Sequence, residues 1–152
     1  KISMASTLTP TTFKVKIKEE HVVRNISTLY ENIVEIKNVT NVDRRIVTIP
    51  HTSSVDLINI NGVVPGAGTF PSSSIQYARI TNLDNSSSLA VTFSSSRDEY
   101  WSQKLNPTTS LVWSGAEVSG SSFNGTLSSD LTSIKVYPMS SSIDVEYVIV
   151  NA

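Results

Sequence analysis

The chain has 152 residues, with 12 Lys plus Arg against 13 Asp plus Glu and no cysteine. That length supports one domain with a core of its own, while the absence of cysteine removes disulfide frameworks and thiolate metal sites. A formal charge of −1 with interspersed signs gives no basic footprint for nucleic acid and no polybasic membrane surface. No apolar run approaches the roughly 20 residues a membrane-crossing helix needs, and no charged-then-apolar signal segment is read at the start.

Hydroxyl residues dominate the polar set, with 26 Ser and 15 Thr. Thr favours strands and Ser favours turns. Residues 1–12 have no periodicity and read as an arm, free or ordered against a partner, with Leu8, Thr9 and Pro10 as candidate assembly contacts. Phe13 to Lys18 is the first predicted strand, with Phe13, Val15 and Ile17 on one face and three lysines on the other. The lysine face reads as a solvated or edge-protecting face rather than an anion site. Tyr30 to Ile36 and Arg44 to Ile49 follow as strands, and residues 38–43 between them have turn composition. Val55 to Ile60 is a fourth strand, ending at Asn61-Gly62, a tight-turn dipeptide. Pro65 to Pro71 reads as a long loop.

The second half alternates strands with serine triplets at 72–74, 86–88, 94–96 and 140–142. The strands expected there are Ile75–Leu83, Leu89–Phe93, Tyr100–Leu105, Ser110–Trp113, Leu131–Tyr137 and Ile143–Val150. Val148 and Val150 make the second face of the last strand apolar, which implies a cover. No stretch keeps helical periodicity. The expected fold is an all-β, antiparallel two-sheet β-sandwich or jelly roll over residues 13–152, with little helix and a barrel as the alternative. Its core is expected to hold Phe13, Val15, Ile17, Val91, Phe93, Trp101, Leu105, Val145, Tyr147 and Ile149.

Chemistry-bearing constellations are sparse. His21 and His51 are the two histidines, no Gly-x-Ser-x-Gly elbow occurs, and adjacent strand residues such as Glu20 and His21 point to opposite faces. Neither an enzyme nor a cofactor is expected. The four N-x-[ST] sequons, at Asn25, Asn38, Asn85 and Asn124, are what so hydroxyl-rich a chain contains by chance. Arg97, Asp98, Glu99 and Tyr100 form the one stretch suited to glycan recognition, a ring for stacking beside carboxylates for sugar hydroxyls. Trp101, in register with Gln103 and Leu105, is expected to pack inward.

Three segments carry a resemblance: Ile75-Gln76-Tyr77-Ala78-Arg79-Ile80-Thr81-Asn82-Leu83-Asp84, Lys104-Leu105-Asn106-Pro107-Thr108-Thr109-Ser110, and Ile143-Asp144-Val145-Glu146-Tyr147-Val148-Ile149. Together they resemble small virion structural proteins of tailed bacteriophages, especially of marine bacteria, with a series R-I-T-N-L-D … K-L-x-P-G-x-S … V-x-V-E. Arg44-Arg45-Ile46-Val47-Thr48-Ile49-Pro50 is similar to an upstream element of the same proteins. The chain departs from the pattern at Thr108, where the turn glycine is expected. The resemblance implies synthesis in the host cytoplasm, residence in the virion, and a role as capsid decoration (cement) or head/tail fibre. The implied partners are itself and other virion proteins, and no catalytic residues carry over. A carbohydrate-binding or adhesin module for host-surface glycans is the competing expectation.

Overall fold

The computed structural model describes residues 10–60, 69–70, 75–96, 98, 100–114, 117–119 and 127–152, and every regular element in them is a strand. The first two, β1 (Thr11–Val23) and β2 (Ile26–Val39), pair with each other alone and form a long antiparallel ribbon. Val23 faces Ile26 across a two-residue turn. Arg24 and Asn25 both adopt positive φ, 51° and 64°, the type I′ geometry whose twist matches that of the flanking strands. Thr11 and Thr12, expected in the arm, already belong to β1. The turn expected at 38–43 shrinks to Thr40, since β2 runs to Val39 and β3 (Asn41–Ile49) begins two residues later.

The other strands are β4 (Val55–Ile60), β5 (Thr69–Phe70), β6 (Ile75–Asn82), β7 (Leu89–Ser95), β8 (Tyr100–Leu105), β9 (Ser110–Trp113), β10 (Glu117–Ser119), β11 (Leu127–Pro138) and β12 (Ile143–Asn151). One sheet runs β3-β12-β6-β9, and the second runs β5-β4-β11-β7-β8 with β10 beside β11. Without the two- and three-residue pieces β5 and β10, the two four-strand orders are those of a jelly roll, with successive strands crossing between sheets except at the β7–β8 hairpin. Asn61-Gly62 and most of 65–71 lie outside the described residues. Thr69 and Phe70 pair in parallel with Asn59 and Ile60.

Strand alternation places Ile143, Val145, Tyr147 and Ile149 of β12 and Ile80 of β6 inward, against Leu89, Val91 and Phe93 of β7 and Ile134 and Val136 of β11. Each such side chain contributes about 1.5–3 kcal/mol by leaving water. Val91, Phe93, Leu105, Val145, Tyr147 and Ile149 are buried as expected. Four expected core residues differ. Phe13 and Val15 are half-buried and Ile17 is exposed, because β1 lies in the ribbon and not in the sandwich. Trp101 does share the inner face with Phe93, but β8 is the edge strand and the ring stays 41% exposed.

The expected cover over Val148 and Val150 is the base of the ribbon. Phe13, Ile36 and Val39 pack with these valines and Tyr77, and the Phe13 and Tyr77 rings lie 5.6 Å apart. The ribbon therefore stands on the outer face of the β3-β12-β6-β9 sheet, its root packed there among the described residues.

Candidate functional site

The three resemblance segments converge on one corner of the sandwich. Asn82 at the end of β6 is fully buried, and its Nδ2 donates to the carbonyls of Ser87 (2.8 Å), Leu105 (3.4 Å) and Asn106 (3.3 Å). Its Oδ1 accepts the Asp84 N–H at 3.0 Å. Asp84 Oδ1 accepts the N–H groups of Ser86 and Ser87, at 2.8 and 2.6 Å. These bonds, that from Ser87 foremost, hold the Asp84 carboxyl below its ordinary range. The Ser87 hydroxyl meets those of Ser140 and Ser141, each at 2.6 Å, so two of the serine triplets interlock. The triplet at 94–96 is no free loop either, since Ser94 and Ser95 are buried in β7.

The turn after β8 explains the departure at position 108. Thr109 N–H donates to Asn106 O at 3.3 Å, with Pro107 between them and Thr108 at φ 60°. That is a type II turn, whose third residue favours glycine. The β-branched Thr108 bears left-handed backbone strain of about 1–2 kcal/mol, held by a bond from its N–H to Asp84 O at 3.0 Å. Thr108→Gly is expected to raise stability by about 0.5–1 kcal/mol in urea unfolding, the strain relieved less the chain entropy glycine adds to the unfolded state. A loss of stability would contradict the strain.

Glu146 of β12 points to the outer face yet is only 6% exposed. Arg44 Nη2 reaches its Oε2 at 2.7 Å from β3, and Arg79 Nη2 reaches its Oε1 at 2.5 Å from β6. Arg79 also hydrogen-bonds the Thr81 hydroxyl. The Arg44 bond leads in holding the Glu146 carboxyl below its ordinary 4.5, with Arg79 adding to it against the opposing effect of burial. Because the folded value is depressed, the stabilisation is complete above the ordinary glutamate value and drains away as pH falls through the lower folded one. Glu146→Gln is expected to cost about 1–2 kcal/mol at neutral pH, since Arg44 stays solvated when its partner is lost. The variant should also flatten the acid limb of the stability-versus-pH curve, and an unchanged limb would contradict the linkage. This is a cross-strand clamp on a sheet face.

Of the expected glycan platform, Arg97 and Glu99 lie outside the described residues. Asp98 sits in a tight turn at φ 59°, its N–H donating to Ser95 O at 3.2 Å. Tyr100 opens β8 opposite Ser94 and is 66% exposed, as its outward register implies. Trp101 faces the other way. Its ring stacks on Phe93 at 5.0 Å and 5°, and Trp113 from the opposite sheet meets Phe93 edge-on at 5.5 Å. Tyr100 and Trp101 thus present on opposite faces of one strand and do not form a single flat platform. His21 lies on the ribbon opposite Thr28, and His51 is exposed with its ring 5.7 Å from that of Tyr137. Among the described residues no three His, Asp or Glu cluster as a metal would require. Leu8 and Thr9 lie outside the described residues, and Pro10 is exposed immediately before β1.

Sequence reasoning missed the distal half of the ribbon. Glu19 to Leu29 alternates poorly and turns at Arg24-Asn25 rather than at a glycine dipeptide, so neither strand was legible past Lys18 or before Tyr30. Yet Val22, Val23, Ile26 and Leu29 of this segment, with Tyr30 and Ile33 beside it, are each more than half exposed. Comparison with protein-family models, curated protein sequences and solved structures finds no match.

Proposed function

We propose that this chain is a non-enzymatic structural subunit of a tailed-phage virion, a decoration or fibre protein that self-associates and docks on the particle. The observation that carries the reading is the ribbon, a two-stranded projection rooted on a jelly roll that exposes Val22, Val23, Ile26, Leu29, Tyr30 and Ile33 among its charged residues. Isolated two-stranded ribbons are marginal in water, and contiguous exposed apolar surface marks an interaction site. The jelly roll is an architecture shared by viral capsid and lectin domains, a likeness at the level of fold only. The resemblance of the Arg79–Asp84, Lys104–Ser110 and Val145–Glu146 segments to virion proteins favours the capsid side of that pair.

The test is to look for the chain in purified phage particles by peptide mass spectrometry after gradient sedimentation. Stoichiometric recovery with the particle band supports the reading, and confinement to the soluble lysate overturns it.

Exposed Tyr100 beside Asp98 favours a second reading, a glycan-binding module made useful by repetition on a particle. Under it, Tyr100→Ala abolishes binding on a glycan array while leaving the melting temperature within about 1–2 °C, because a solvent-facing surface change is worth within ±0.5 kcal/mol. A wild-type chain that binds no glycan on the array removes this reading.

A further inference from the structure

We propose, resting on the self-association read above, that the β1–β2 ribbon is the oligomerisation element: β1 of one copy lies beside β2 of the next around a closed ring. The partner is a second copy of this chain, and the charge pattern says so. On one face of the ribbon, β1 carries Lys14, Lys16 and Lys18, while β2 carries Glu31 and Glu35. Within the chain they pair as Lys14–Glu35 at 3.0 Å and Lys16–Glu31 at 2.8 Å, and Lys18 pairs with Glu20 at 3.3 Å. Over the whole ribbon Lys14, Lys16, Lys18, Arg24 and Lys37 stand against Glu19, Glu20, Glu31 and Glu35, one positive charge in excess. So balanced a surface has no call for a polyanion or an anionic bilayer, and the surface that matches it is another like itself.

The two edges are complementary in sign: β1 is the lysine edge and β2 the glutamate edge. Among the described residues neither outer edge has a strand neighbour, so both present free backbone donors and acceptors. Setting β1 against β1 across a two-fold axis would bring lysine rows together. Setting β1 against β2 of the next copy brings lysines beside glutamates, and repeating that head-to-tail contact closes a ring. The opposite face then turns to the axis. It carries Val15, Ile17, Val34 and Tyr30, with Val23 and Ile26 at the tip and Glu19, His21, Thr28 and Asn32 interspersed among them, and its root is the buried contact of Phe13 and Ile36 with Val148 and Val150. The ring covers the apolar residues of that face and satisfies both edges at once, while Val22, Leu29 and Ile33 stay on the lysine face.

The chain has no cysteine, so thiol cross-linking reports cleanly. Lys16→Cys places a thiol on β1 and Glu31→Cys one on β2, and each full-length variant is treated, alone and as a mixture, with a bifunctional maleimide shorter than the two strand spacings, roughly 10 Å, that separate one β1 from the next. The head-to-tail ring gives a two-chain product in the mixture and only a trace from either variant alone. A product from Lys16→Cys alone equal to that of the mixture overturns the arrangement, as does no product in any sample. Separately, Ile26→Asp with Tyr30→Asp, both at exposed positions and checked for an unchanged circular dichroism spectrum, is expected to lower the mass in solution to that of one chain, 16.5 kDa. Retention of the wild-type mass overturns the proposal. A wild-type chain that is monomeric yet recovered in purified particles sinks the ring and leaves the virion reading standing.

Discussion

Tyr147→Ala is expected to cost about 3–5 kcal/mol, the range for removing a large aromatic ring from a core that relaxes only in part. The ring is 2% exposed and stands on the inner face of β12, with Ile80 of β6 and Arg45 of β3 as its cross-strand neighbours. Burial raises its hydroxyl above the ordinary range, and Asp43 at the mouth of the sandwich adds to that as its hydrogen-bond partner. Truncation therefore opens a cavity where two sheets meet and strands a polar partner at its rim. The check is urea unfolding at neutral pH, read as a shift of midpoint at constant slope. A loss under about 1 kcal/mol would mean that the sandwich closes over the gap, which close-packed interiors seldom do.

Asn82→Ala is the second large effect, at about 2–4 kcal/mol. The side chain makes four polar contacts while fully buried. Its removal takes a donor from the carbonyls of Ser87, Leu105 and Asn106, of which Asn106 keeps the Thr109 N–H and hydroxyl, and an unmade bond at a buried group costs about 1–3 kcal/mol. Asn82→Asp should cost at least as much, since an ionised carboxylate donates nothing to those carbonyls and sits away from water. Hydrogen exchange should show the Ser86–Leu89 and Asn106–Thr109 amides opening together in either variant. Unchanged protection there would contradict the role of Asn82 as the tie between the β6–β7 and β8–β9 connections.

The sandwich was legible where one face is buried, because period-two alternation then leaves a sharp trace. Leu89, Val91 and Phe93 show this, as do Val145, Tyr147 and Ile149. It was illegible where neither face of a strand is buried within the chain. Glu19 to Leu29 mixes charged and apolar residues on both sides of the ribbon, so its alternation carries no in-or-out signal. Trp101 shows a different limit. Register places it on the inner face correctly, but only strand order reveals that β8 lies at an edge. The serine triplets misled in part, since those at 86–88 and 140–142 interlock at a buried corner and that at 94–96 runs into the end of β7. Of the candidate site, Tyr100 was legible as outward-facing, whereas the full length of the ribbon became visible only through strand pairing.

The most direct measurement is the mass of the full chain in solution, by sedimentation equilibrium across a wide range of concentration. Self-association through the ribbon predicts one closed species whose mass is a whole multiple of 16.5 kDa. A single-chain mass at every concentration, with the domain folded, would contradict it.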